Sequence, residues 1–434
     1  MKFYYIMSNF KKTNTTLFSL VLAIVLLFAG ISVFSQTRII SPYSMYGIGE
    51  LNHQRLSRNL GMAGIGYGYR SNLSVNYLNP ASYSAIDSTS FIFEAVGFSH
   101  FYQQETVTQS QSSNYSSLGN LVFGFPVNKR ISVGAGLKPY SLVGYKILDS
   151  EAMQTDGHIN YLYEGAGGIN QVFIGTSFKL LEELSVGVNA SYLFGNIEDR
   201  ITVFSDDIPG FFRSYKKETD NISGFIFDAG LQYHKKLSET RNFTLGITYS
   251  HDYDLDIERS KLIQRELPGS TSLDTLDYSK EEKGLLHITK SIGVGSWLKY
   301  NENWSGGFDV AWQNWENFQR FGSGDELQDS YNVALGVKYS PTVATYSGIF
   351  SHAKYMAGVR YGQSYLNVND YNFDEFGISF GIYLPIRRTR NGISLGFEYA
   401  QRGTTDHNLI KEDFYRVNIG VNIYERWFIR RKFF

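Results

Sequence analysis

The stretch Phe414-Tyr-Arg-Val-Asn-Ile-Gly-Val-Asn-Ile-Tyr424 runs on to a terminal Phe433-Phe434. In an extended strand Tyr415, Val417, Ile419, Val421 and Ile423 share one face, and Arg416, Asn418, Gly420, Asn422 and Tyr424 share the other, because successive side chains alternate. One face is apolar and one is polar. The same alternation returns down almost the whole chain with hardly any helical period between. This predicts an all-β fold, a transmembrane antiparallel β-barrel with lipid outside and a polar lumen inside.

Working back from the closing strand, Ile393, Leu395, Phe397 and Tyr399 oppose Ser394, Gly396, Glu398 and Ala400. Val333, Leu335, Val337 and Tyr339 oppose Asn332, Ala334, Gly336 and Lys338, and Phe308, Val310 and Trp312 oppose Gly307, Asp309, Ala311 and Gln313. Leu298 and its neighbours set Trp297 and Gly295 inward, and Leu137 does the same for Lys138 and Gly136. Counted from residue 89, the strands number about fourteen. Short connections (Asn128–Arg130, Leu181–Glu183, Lys236–Arg241, Asn301–Glu302, Arg387–Asn391) alternate with longer polar ones (Asp149–Gly168, Arg265–Gly284, Gln319–Gln328, Gly403–Glu412). That asymmetry is the one expected between periplasmic turns and outer loops, and an even count puts both termini on the periplasmic side. Pro341–His352 is long for a periplasmic turn. Trp304, Trp312, Trp315, Tyr300 and Tyr339 fit interfacial belts, and strands 5 and 6 are long enough to project beyond a bilayer.

Composition agrees. The 434 residues include 42 Gly, 32 Tyr and 32 Phe and no cysteine, a balance that favours strands over helices and leaves no disulfide or lipoprotein anchor. A formal net charge of -1, with no basic stripe, excludes a general nucleic-acid binder. The one long apolar run, Leu17–Phe34, follows Lys11 and Lys12 and precedes Ser35. It reads as a signal peptide over 1–35, cleaved near Ser35, with a retained anchor as the rival reading. The mature chain then begins near Gln36 and passes to the outer membrane of a Gram-negative cell.

Residues 36–88 have no sustained period and are too apolar for a disordered tail. They carry Ser41-Pro-Tyr-Ser-Met-Tyr-Gly47, Gly61-Met-Ala-Gly64 and Asn79-Pro80-Ala81. The glycines lack the preceding strand and the Gly-Lys-Ser/Thr of a phosphate loop, and Leu56–Met62 reads as a short helix. Together with the terminal Arg426-Trp427-Phe428 and the final aromatic residue, these motifs resemble a group of outer-membrane barrels of Bacteroidota. That group is similar to the FadL-type superfamily, which includes the PorV-like barrels of type IX secretion. The resemblance implies a fourteen-stranded barrel over 89–434 with 36–88 folded into the lumen as a plug containing Asn79, Pro80 and Ala81. Inward glycines (Gly134, Gly136, Gly187, Gly246, Gly336, Gly381, Gly396, Gly420) either leave room for another backbone or relieve crowding between strands.

No catalytic signature stands out, and no cofactor or metal is expected: the eight histidines are scattered, and no serine sits in a nucleophile elbow. Asp252, Asp254, Asp256 and Glu258 share a face, to be read as a solvated acidic edge or a Ca²⁺ ligand set. Lys138, Asp309, Lys338, Glu398 and Arg416 point into the lumen, as plug anchors or as a substrate filter. Trp297 and Phe98 are the inward apolar candidates for ligand contact. The basic tail Arg426, Arg430, Arg431 and Lys432 emerges in the periplasm. The FadL resemblance implies passage of a hydrophobic small molecule such as a fatty acid. The PorV resemblance implies instead a non-transporting subunit with outer-membrane or periplasmic protein partners, for secretion, attachment or barrel insertion.

Overall fold

The computed structural model describes residues 41–51, 55–153, 157–266, 272–325, 327–342, 349–368, 371–386 and 389–426. The segment read as a signal peptide, the cleavage expected near Ser35 and the tail from residue 427 onward lie outside them. Fourteen strands form the wall: β1 Ser90–Glu105, β2 Ser110–Pro126, β3 Ile131–Ala152, β4 His158–Lys179, β5 Leu184–Phe204, β6 Arg213–Lys236, β7 Asn242–Ser250 continued by Tyr253–Glu266, β8 Leu273–Ile288 continued by Ser291–Lys299, β9 Trp304–Gln313, β10 Ser330–Tyr339, β11 Lys354–Val368, β12 Tyr371–Pro385, β13 Gly392–Arg402 and β14 Lys411–Arg426. Each pairs antiparallel with the next, and β14 closes on β1 with Arg426 opposite Ser90 and Lys411 opposite Glu105. Closure leaves no free edge at the seam.

The face alternation is as the sequence requires. In β14 Glu412, Phe414, Arg416 and Asn418 are buried, while Tyr415 and Ile419 are exposed. Around the outside, Ile174, Phe225 and Phe380 are 61%, 63% and 57% exposed, a degree of apolar exposure that water does not tolerate over a whole belt and lipid does. Trp304 and Tyr339 meet with ring centroids 4.7 Å apart at the short-turn rim, as an interfacial belt predicts. Trp315 does not belong to that belt. It sits in a 3-10 turn, Trp315–Asn317, that folds inward after β9 and buries the indole against Phe318 and Tyr365.

A tilted strand of about 9–11 residues crosses a bilayer, yet β3, β4, β5 and β6 have 22, 22, 21 and 24 residues. Two expected loops, Asp149–Gly168 and Arg265–Gly284, are therefore largely strand. Past the lipid both faces of a strand meet water, so no apolar stripe marks it in the sequence. Of Pro341–His352, residues 343–348 lie outside the described set, and a 3-10 turn over Ile349–His352 ends it.

One part of the wall is kinked. β6 pairs with the first half of β7 from Asp228 onward and with its second half up to Ser223, which leaves Gly224–Phe227 between the two ladders. The Tyr253 hydroxyl donates to the Phe227 carbonyl at 2.8 Å across the interruption. The kink also exchanges faces: Ile247 and Tyr249 point outward before it, and Asp254, Asp256 and Glu258 after it, with Leu255 and Ile257 buried inside.

The segment from Ser41 enters from the opposite end to the barrel's own termini. Ser41 donates to Glu412 near the long-loop start of β14 at 2.6 Å, while Asp87 pairs with Arg390 in the short turn before β13 at 2.8 Å. Thus Ser90 and Arg426 lie together at the short-turn end as expected, but the stretch before β1 descends the length of the lumen. Glu50–Leu51 adds to the inner edge of β3, opposite Leu142 and Ser141.

Candidate functional site: the filled lumen

Luminal glycines make the descent possible. A Cβ added at Gly187 would lie 2.5 Å from the Ala81 nitrogen, at Gly336 2.7 Å from Met62, at Gly381 2.9 Å from Gly61, and at Gly134 2.8 Å from the Tyr83 ring. Gly246 abuts the Tyr67 carbonyl, and Gly396 abuts Leu60. Only Gly136 and Gly420, of the eight inward glycines named above, meet the barrel's own wall instead. Both readings of the glycine pattern hold, with close backbone approach the commoner.

Asn79, Pro80 and Ala81 form the start of a 3-10 turn over Pro80–Ala85. The Asn79 side-chain oxygen accepts from the Ala81 N–H at 3.1 Å, and Pro80 stands where no N–H is needed. The Asn79 amide donates to Tyr67 and Leu231 carbonyls at 2.9 and 3.2 Å, tying the turn to a second stretch of the segment and to β6. Tyr83 beyond it reaches Asn189 of β5 at 2.9 Å, and burial holds this phenol above its ordinary pKa. The expected helix at Leu56–Met62 is a 3-10 turn over Ser57–Met62.

The predicted luminal side chains all face inward, but they do not meet as one site. Asp309 accepts from the Gly66 and Tyr67 N–H groups at 2.6 and 3.0 Å. Lys138 stands over the Tyr77 ring at 4.8 Å. Trp297 packs edge-on against Tyr69 at 5.1 Å, and Lys338 stands over both rings. Phe98 lies in a separate aromatic group with Tyr115, Tyr102 and Phe414. Besides that Lys338–Trp297 contact, Glu398 and Arg416 are brought together, 3.3 Å apart.

Those two belong to a larger ion network. Arg360 touches Glu375 and, at 2.5 Å, Glu398. Arg402 reaches Glu412 at 2.7 Å and Glu50 at 3.1 Å, Arg416 reaches Glu50 at 3.0 Å, and Arg55 lies 3.5 Å from Glu375. Glu50, Arg55 and Ser41 come from the inner segment and the rest from β11–β14, so the network clamps segment to wall. It also gives the Ser41-Pro-Tyr-Ser motif its work: Ser41 caps a 3-10 turn and bonds Glu412, the Tyr43 hydroxyl donates to the Ile410 carbonyl, and Ser44 accepts from the Gly144 N–H. A second clamp joins Arg58 to Glu94 at 2.7 Å. Burial opposes the Arg58 charge, but Glu94 beside it outweighs that and holds the guanidinium above its ordinary value. The sequence offered one signal for these missed residues, the inward parity of a charge on a strand.

Two of the spaces left within the packed lumen are small. Around the ion network a cavity of about 80 Å³ remains, and one of about 70 Å³ lies behind the kink, near Lys138, Asp228 and Thr289. The long-loop half is closed by apolar side chains, with Ile48, Leu255, Ile257, Leu286, Trp315 and Phe318 all nearly or fully buried. The acidic run is occupied by β8: Asp252 accepts from the Lys290 N–H at 2.7 Å, Asp254 lies 2.7 Å from His287, and Glu258 lies 3.2 Å from Lys283.

The profile of the BamG family matches residues 17–434, nearly the whole chain. The chain belongs to the BamG family. Among solved structures this BamG-family barrel is similar to the CymD monoaromatic hydrocarbon channel, at 13% identity over 87% of this chain and 98% of that one with a TM-score of 0.57. It is similar to the Pseudomonas putida toluene transporter TodX, at 15% identity over 91% and 100% with a TM-score of 0.56. A Pseudomonas aeruginosa FadL homologue gives 12% identity over 88% and 100% with a TM-score of 0.54. At such identities the likeness carries the fold. No curated protein matches the chain in sequence. The expected fourteen-stranded barrel fold is thus met, and the BamG-family chain is an outer-membrane barrel.

Proposed function

We propose that this chain is a plugged, non-conducting outer-membrane barrel that acts as a subunit of a larger outer-membrane assembly and carries out no catalysis. The observation that supports it is the filled lumen. Residues 41–51 and 55–88 occupy the interior from the long-loop end to the short-turn end, clamped by buried ion pairs at both levels. Buried pairs of this kind fix one arrangement more than they add stability. The name of the family points the same way, toward a barrel that works among protein partners. The long β3–β8 strands that stand beyond the bilayer supply surface for such partners.

A second reading, passage of a hydrophobic small molecule, is favoured by the fold shared with a toluene transporter and a monoaromatic hydrocarbon channel and by the interrupted wall at Gly224–Phe227. Against it stands continuity: a protein cavity of about 150 Å³ admits benzene, the spaces within the packed lumen are about 80 and 70 Å³, and a larger one, about 380 Å³, lies at the short-turn end below the inner segment. A mild-detergent pull-down of the tagged barrel from native membranes, with mass spectrometry of proteins and lipids, separates the two. Stoichiometric outer-membrane partners without an enriched amphiphile support the subunit. A lone barrel carrying a defined fatty acid or aromatic compound overturns it.

A further inference from the structure

Beneath the inner segment, at the periplasmic end, lies a cavity of about 380 Å³. Three ammonium groups stand in it: Lys299 at the end of β8, Lys338 near the end of β10 and Lys354 at the start of β11. Each arginine of the ion network has at least two glutamates within reach. Among the described residues, none of these three lysines has a carboxylate partner. Arg70, in the same cavity, donates to the uncharged Gln232 side chain at 3.1 Å, and the cavity's one carboxylate, Glu302, is on an exposed turn.

Aromatic rings hold two of the lysines, Lys338 and Lys354, instead. Lys338 Nζ lies 5.0 Å from the Trp297 centroid and 5.4 Å from that of Tyr69, and Lys354 Nζ lies 5.4 Å from that of Tyr383. A ring face orients an ammonium group without neutralising it or using up its N–H donors. Tyr69 registers the resulting field. Burial raises its pKa, yet Lys338, Arg58 and Lys354 together hold the phenol below its ordinary value.

We propose that this vestibule binds an acidic peptide segment of a periplasmic protein partner, its carboxylates taken by Lys299, Lys338 and Lys354 and a neighbouring apolar side chain by Trp297, Tyr383 and Met356. A single small oxyanion would leave most of the volume empty, and the aromatic wall would gain nothing from it. A lipid headgroup would have to leave its leaflet and pass the rim of turns at Asn301–Glu302 and Ser340 to enter the lumen. An extended peptide enters end-on and offers charge and apolar surface together. The inference rests on the reading of the barrel as an assembly subunit and names the chemistry of one contact.

The test uses the full barrel in mild detergent and a fluorescein-labelled peptide, Glu-Glu-Phe-Glu-Glu-Phe, followed by anisotropy. The expected result is saturable binding that weakens with salt, falls by about tenfold or more in Lys338→Gln/Lys354→Gln, and is kept in Lys338→Arg/Lys354→Arg. Heat-dependent gel migration shows that each variant is a folded barrel. The inference is overturned if the Gln-for-Glu peptide binds as well, if the Gln variant binds unchanged, or if inorganic phosphate or phosphatidylglycerol micelles displace the peptide at equal anion concentration. Absent peptide binding alongside intact recovery of partners removes the vestibule site and leaves the subunit reading standing. Peptide binding in a barrel that recovers no partner leaves the site and removes the subunit reading.

Discussion

In the long-loop half of the lumen Arg55, Arg360, Arg402 and Arg416 interlock with Glu50, Glu375, Glu398 and Glu412. At the short-turn end Lys338 and Lys354 stand against aromatic rings and Lys299 lines the same cavity, none with a carboxylate partner among the described residues. The first region satisfies its charges from within and closes the barrel. The second leaves charge available to something outside the chain. Guanidinium forks suit the closed network, because several donors in fixed geometry can serve two carboxylates at once, whereas a lysine presents a single mobile charge. The contrast separates what holds the barrel shut from what it offers to a partner.

The sharpest way to break that contrast is to remove a shared member of the network. Glu398→Ala strips a fully buried carboxylate from Arg360 and Arg416 and is expected to cost about 3–5 kcal/mol, read as a lower urea midpoint for the refolded barrel in lipid vesicles. A smaller loss should follow Asp309→Asn. The carboxylate serves two backbone N–H groups of the inner segment, so about 1–3 kcal/mol is expected, with faster proteolysis between Gly66 and Ala85. Least affected should be Lys338→Gln/Lys354→Gln, whose midpoint is expected to stay within about 0.5 kcal/mol of the parent. A drop as large as that of Glu398→Ala would make the lysines part of the clamp and erase the difference between the two regions.

The barrel itself was legible in the sequence. Period-2 alternation gave the strands, their faces and the inward placement of Lys138, Trp297, Asp309, Lys338, Glu398 and Arg416, because lipid outside and a filled lumen inside impose opposite chemistries on adjacent residues. Where lipid ends, that signal ends, so residues 149–168 and 265–284 looked like loops. The exchange of faces at His251-Asp252 was hidden for a related reason. A kink shifts parity without changing composition, and Leu255 and Ile257 look like outward residues until Tyr253 is seen to restart the strand. The network was out of reach because Ser41, Glu50 and Arg55 meet partners more than 300 residues away. Parity assigns each a face and no neighbour.

The central claim is that the barrel works with its lumen filled. Ser84 on the inner segment and Ser185 at the start of β5 share a hydroxyl contact of 2.7 Å, and the chain has no cysteine of its own. The Ser84→Cys/Ser185→Cys pair can therefore lock segment to wall with a single disulfide. The decisive measurement is whether the oxidised, locked barrel replaces the native protein in cells as fully as the reduced one and recovers the same partners. Equal replacement is predicted. Loss of function on oxidation, restored by reductant, would show that the segment must move and would contradict the account.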